Sequence, residues 1–254
     1  MPFSLDGFLL VFGRVSGLFL SAPVYSSRQI PVQLRVLFAL LLAAVMASTG
    51  VPRYEINISN TGLFLLALLQ EMLTGYALGL VAYMVFAGIQ LAGQLMDMQM
   101  GFGIVNVVDP QSGIQVPLIG NFNYLLALLV FLGINGHHLL LLALHQSYQF
   151  VPVLGVSFVP GFTRFVVELG AYMFVVGLKI AAPVVAALFV ADVALGFMAR
   201  TVPQMNVFLV GIPLKILGGI LMLLVFLPVY IWFLQVLFAR FFGYLDQAVS
   251  VLAG

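Results

Sequence analysis

No cysteine occurs in the 254 residues, which excludes disulfides, thiolate metal sites and a thiol nucleophile. Charge is nearly as scarce: 7% of residues are Asp, Glu, Lys or Arg, against about 25% in a soluble globular domain. Such a chain has too little polar surface to face water on all sides. The net charge of +1 gives no electrostatic reason for a nucleic-acid partner or an acidic substrate. Gly-rich phosphate loops, a nucleophile elbow and zinc-helix motifs are missing, so nothing supports an enzyme, a metal or another cofactor. The N-terminus lacks a basic region. Asp6 stands where positive charge is expected and Arg14 interrupts the apolar run, so this segment is expected to be kept rather than cleaved as a signal peptide.

What is present is apolar: 63% of residues are hydrophobic and the mean hydropathy is +1.20. A spanning helix needs about 20 such residues to cross roughly 30 Å of hydrocarbon. Apolar runs extend over residues 5–24, 36–51, 61–98, 121–148, 163–200 and 206–244, which predicts an all-α membrane protein. The third, fifth and sixth would each reach on the order of 50 Å as continuous helices, more than tilt usually absorbs. They are expected either to break, with Pro183, Pro213 and Pro228 as candidate kinks, or to project beyond the bilayer. Arg28, Arg35 and Arg200 favour a cytoplasmic side for the connections that carry them.

Gly75 and Gly79, then Gly88 and Ala92, lie one turn apart and are candidate helix-packing positions, because small residues let backbones approach closely in lipid. Within the runs the charges are Arg14, Glu71, Asp97, Glu168, Lys179, Asp192 and Lys215, about one per run. A proton relay or an ion-coupled transporter would cluster them around a midplane site. Their scatter instead predicts that they satisfy one another and subunit contacts, with Arg164 and Glu168 an i,i+4 pair. His138 and His145 share a helix face without a nearby carboxylate, a poor metal geometry.

The most informative stretch is GFGIVNVVDPQSGIQVP, residues 101–117. Its glycines and prolines oppose a continuous helix, and Asp109-Pro110-Gln111-Ser112 fits a type I turn. Yet Ile104, Val105, Val107, Val108, Ile114 and Val116 are too apolar for a freely solvated loop. Irregular backbone at membrane depth is tolerated when buried in protein or lining a cavity; an ordinary connector outside the membrane is the other reading. Met96, Met98 and Met100, with flexible thioethers that pack against many shapes, lead into it.

These residues resemble the FliR family of flagellar export-gate proteins, whose relatives serve virulence secretion systems. The likeness rests on RVSGLFLSAPVYSSRQIPVQLR, EMLTGYALG, AGQLMDMQMGFGIVNVVDPQSG, NGHHLLLLALHQSY and ARTVPQMNVFLVGIPLKILGG, in that order along most of the chain. The resemblance implies a subunit of the flagellar type III protein export gate in the bacterial inner membrane, assembled with FliP and FliQ, in contact with FlhB and surrounded by membrane lipid. It implies long kinked helices in two parts: 1–162, FliP-like, carrying a plug loop at about 101–117, and 163–254, a FliQ-like helical hairpin. It further implies that Asn106, Val107, Val108, Asp109, Pro110, Gln111, Ser112, Gly113, Ile114, Gln115, Val116 and Pro117 plug the closed pore, with Met96, Met98, Met100 and Phe102 as lining candidates. Unfolded flagellar proteins would pass once the plug moves aside. The alternatives are the equivalent subunit of a virulence injectisome and, from another class, an ion-coupled membrane transporter.

Overall fold

The computed structural model describes residues 5–27, 29–48, 61–103, 117–155, 160–202, 204 and 206–253. Of the residues singled out above, Arg28, Ile104, Val105, Asn106 to Val116, Pro203 and Met205 lie outside them. Every regular element described is a helix: α1 (Leu5–Ser21), α2 (Val32–Ser48), α3 (Thr61–Met100), α4 (Leu118–Gly133), α5 (Gly136–Phe150), α6 (Pro160–Thr201) and α7 (Val207–Ala253).

The three over-long runs do not break. Helices α3, α6 and α7 have 40, 42 and 47 residues and so measure about 60 to 70 Å, roughly twice the hydrocarbon thickness. Helix α6 continues through Pro183, and α7 through Pro213 and Pro228. A break falls elsewhere: the run read as continuous over 121–148 divides into α4 and α5, bent by 69°. Asn135 stands in the left-handed region there (φ 59°). Gly133 precedes it and Gly136 follows, where a Cβ would run into the Phe131 ring. Asn is one of the few non-glycine residues that adopt this conformation readily.

The helices form two compact units, each drawing on separated stretches of sequence. The first comprises residues 1–85, 131–170 and 237–254; the second, residues 86–130 and 171–236. The first is organised around α1, buried round most of its circumference, with Leu10, Val11, Val15 and Leu18 fully enclosed. It crosses α3 through facing glycines. A Cβ on Gly17 would overlap the Met72 carbonyl, one on Gly75 the Arg14 carbonyl, and one on Gly79 the Ser21 hydroxyl. Ser21 donates to the Tyr76 carbonyl at 3.0 Å. Close backbone approach of this kind is how helices associate where lipid removes the hydrophobic drive between them. Phe131, Phe238 and Phe241 fill another part of this core, with ring centroids 5.1 and 6.1 Å from Phe131.

In the second unit the far part of α3 meets α6 where a Cβ on Gly88 would come 2.8 Å from the Met173 carbonyl oxygen and one on Gly177 equally close to that of Gly88. Ala92, one turn on, is fully buried. Gly93 faces Gly120 on α4 closely enough that a Cβ would overlap it, and Phe86 meets Tyr124 edge-on at 5.7 Å.

Candidate functional site

The close crossing of α1 and α3 brings together Arg14 and Glu71, both fully enclosed. Arg14 Nε donates to Glu71 Oε2 at 2.6 Å and Nη2 to Oε1 at 2.8 Å. This bidentate fork suits a planar guanidinium better than any lysine could. Helix α5 completes the cage: Arg14 Nη1 donates to Ser147 Oγ at 2.9 Å and Nη2 to the Val151 carbonyl at 3.1 Å. The Tyr148 ring lies over the guanidinium at 3.8 Å, a cation–π contact strengthened by desolvation. In the same unit Tyr25, outside the helices, stacks on Phe19 at 4.4 Å and donates to the His137 carbonyl at 3.0 Å. Burial pushes its phenol up to about 12, so it stays protonated and donating at physiological pH.

In the second unit, Asp97 ties the two stems of the 101–117 stretch to one carboxylate-bearing residue. Helix α3 ends with Gly101 in the left-handed region (φ 92°). Gly101 N–H donates to the Met98 carbonyl and Phe102 N–H to the Asp97 carbonyl. That pair of bonds is the Schellman ending, which only a residue free to take positive φ permits at little strain. On the other stem the Pro117 carbonyl accepts the first helical bond of α4, from Asn121. Proline has no side-chain oxygen to satisfy the exposed donors of that first turn. Asp97 supplies both oxygens: Ile119 N–H donates to Oδ1 at 2.9 Å and Gly120 N–H to Oδ2 at 3.0 Å. A carboxylate is also the charge that a helix N-terminus favours.

The remaining lining candidates divide. Met96 and Met100 are buried, the latter against Gly219 of α7, whereas Met98 is exposed and Phe102 half-buried. Around Asp192 of α6, Lys215 Nζ lies 2.8 Å from Oδ1, and Gln99 Nε2 donates to Oδ2 at 2.9 Å. Arg164 and Glu168 pair at 2.8 Å on an exposed face. Every charge singled out in the apolar runs thus has a partner among the described residues, with the exception of Lys179. Histidines 137 and 138 set their rings 4.2 Å apart. Among the described residues no three of His, Asp or Glu converge on a point.

Sequence reasoning passed over Gly13 and Gly17, although GRVSG carries the same four-residue spacing as GYALG on the facing helix. It also passed over Ser147, Tyr148, Asn123 and Tyr230. Nothing local marks these four, because their partners are remote in sequence or missing.

Long apolar helices with one fully buried ion pair between them define an all-helical integral membrane protein; the sequence comparisons carry the assignment further. Residues 5–241 match the model of the bacterial export proteins, family 1. The flagellar biosynthetic protein FliR of Bacillus subtilis (strain 168) is 44% identical over 230 residues, covering 87% of this chain and 86% of its own. That of Escherichia coli (strain K12) is 30% identical over 239 residues, covering 94% and 91%. FliR of Aquifex aeolicus (strain VF5) is 30% identical over 227 residues, covering 87% and 84%. The chain belongs to this family of bacterial flagellar export proteins, and its location is the bacterial inner membrane.

Proposed function

We propose that the chain is a subunit of the flagellar type III protein export gate, one that helps form and plug the channel through which unfolded flagellar proteins leave the cytoplasm. At the coarser level it is a component of the flagellar export apparatus, as its family and its FliR relatives indicate. The observation that carries the finer reading is the pair of stems held by Asp97. Each of them ends firmly, the α3 end in its Schellman bonds and the α4 start on the Asp97 carboxylate. In this reading Asn106 to Pro117 form the plug, with Met98 and Phe102, the less buried of the four lining candidates, facing the conduit. The chain divides functionally into 1–162, FliP-like, and 163–254, a hairpin of the FliQ kind. Its partners are FliP, FliQ and FlhB, and its role is structural and gating rather than catalytic. The transporter alternative gains nothing from the geometry, since Glu71, Asp97 and Asp192 are engaged by three separate sets of partners.

The test is co-purification after gentle extraction. Two smaller, very apolar proteins accompany the chain in fixed ratio, and cells lacking the chain fail to export flagellar subunits. A stable monomer that retains a small solute would instead favour the transporter.

A further inference from the structure

Within the second unit a cavity of about 110 Å³ lies between α3, α4, α6 and α7, walled mainly by apolar side chains that include Val184, Phe226, Val229 and Phe233. Three polar side chains also line it: Asn123, Lys179 and Tyr230. Asn123 is 1% exposed, and among the described residues neither its amide nitrogen nor its oxygen has a hydrogen-bond partner; the Tyr230 hydroxyl is likewise buried and unmet there. Native proteins rarely leave such groups orphaned. Pro183, on the same wall, has no N–H to give the carbonyl four residues earlier, so the Lys179 backbone also loses its helical donor. Lys179 itself is exposed and has no carboxylate partner among the described residues.

The unmet groups specify an occupant. An amide N–H, a phenol O–H and an ammonium call for oxygen acceptors, one of them anionic, attached to something apolar, and the Asn123 oxygen calls for a donor such as a headgroup hydroxyl. An engineered cavity of about 150 Å³ holds benzene, so this one admits a few carbons and their oxygens rather than a whole molecule. Lys179 stands near the middle of the 42-residue α6. Either half of that helix is therefore about 30 Å long, close to one hydrocarbon thickness, which sets the lysine at headgroup depth when one half crosses. We propose that the pocket binds an anionic phospholipid. Its phosphate lies on Lys179, its glycerol-ester oxygens accept from Asn123 and Tyr230, and the first acyl methylenes lie against Phe226, Val229 and Phe233. This inference stands apart from the gate reading.

The experiment uses the full-length chain, extracted in mild detergent with the subunits that accompany it and exposed to mixed phosphatidylglycerol and phosphatidylcholine. Bound lipid is counted by native mass spectrometry. The wild type retains phosphatidylglycerol in preference to phosphatidylcholine. Lys179→Gln lowers that preference about fivefold, the effect of one basic group on an anionic lipid, and Lys179→Arg preserves it. Asn123→Leu also loses lipid, while its melting temperature in lipid-free detergent is unchanged or raised. That second readout separates loss of a ligand from misfolding. The proposal is overturned if the wild type retains no lipid or holds both lipids equally. It is also overturned if both variants bind as the wild type does, or if a photocrosslinker at position 179 captures a protein segment instead of phospholipid.

Discussion

In the first unit the Arg14 guanidinium reaches a carboxylate, a hydroxyl, a carbonyl and an aromatic face without leaving the chain. In the second, Asn123 is just as thoroughly buried and has no hydrogen-bond partner among the described residues. The contrast separates two uses of polarity in an apolar protein. A charge paired within the chain fixes which helices meet, since any other pairing would strand it. A polar group left unmet beside a cavity marks a place that something outside the chain completes.

The largest effect should come from breaking the buried ion pair. Arg14→Met leaves the Glu71 carboxylate enclosed without its counter-charge, and breaking such a pair costs about 3–5 kcal/mol. We expect a sharply reduced level in membranes and a lower melting temperature in detergent. The double substitution Arg14→Met with Glu71→Leu should recover much of that loss, because both charges go together. Equal damage from the single and double variants would argue against the pairing as the cause.

Next comes the crossing that supports the network. Gly17→Ala or Gly75→Ala drives a methyl into a facing carbonyl, with an overpacking cost of about 1–3 kcal/mol. Gly218→Ala, which meets open space, serves as the control and should melt like the wild type. Smaller again is Asp97→Ala, worth about 1 kcal/mol as a lost cap. Asp97→Asn retains an acceptor and should cost less. Hydrogen exchange at Ile119 and Gly120 would read this directly, faster in the alanine variant than in the asparagine one. At the bottom of the scale, Arg164→Ala removes an exposed helix-surface pair and should leave melting unchanged, since exposed pairs contribute little.

The sequence carried the fold to a useful depth. Length and apolarity alone marked α3, α6 and α7, whose bounds fall within a few residues of the runs at most ends, although α7 runs on past Tyr244 to Ala253. The division between α4 and α5 was written in Gly133, Asn135 and Gly136, but uniform hydropathy over 121–148 hid it. The pairing of Arg14 with Glu71 was beyond local pattern, because the partners are 57 residues apart and nothing but the helix crossing joins them. The role of Asp97 was equally hidden. Its charge was visible, yet a carboxylate in one helix that caps another is legible only once both helix ends are placed.

The gate reading stands on the stretch between those ends, and one measurement addresses it most directly. An in-frame deletion of residues 106–116 spares Asp97 and the Pro117 carbonyl that starts α4, so the complex should still assemble. Ion flux across the inner membrane is then recorded in cells carrying the deletion. Assembled complex with a membrane leaky to small ions is the predicted result; assembled complex in a membrane as tight as the wild type's would contradict the assignment of this stretch as the plug.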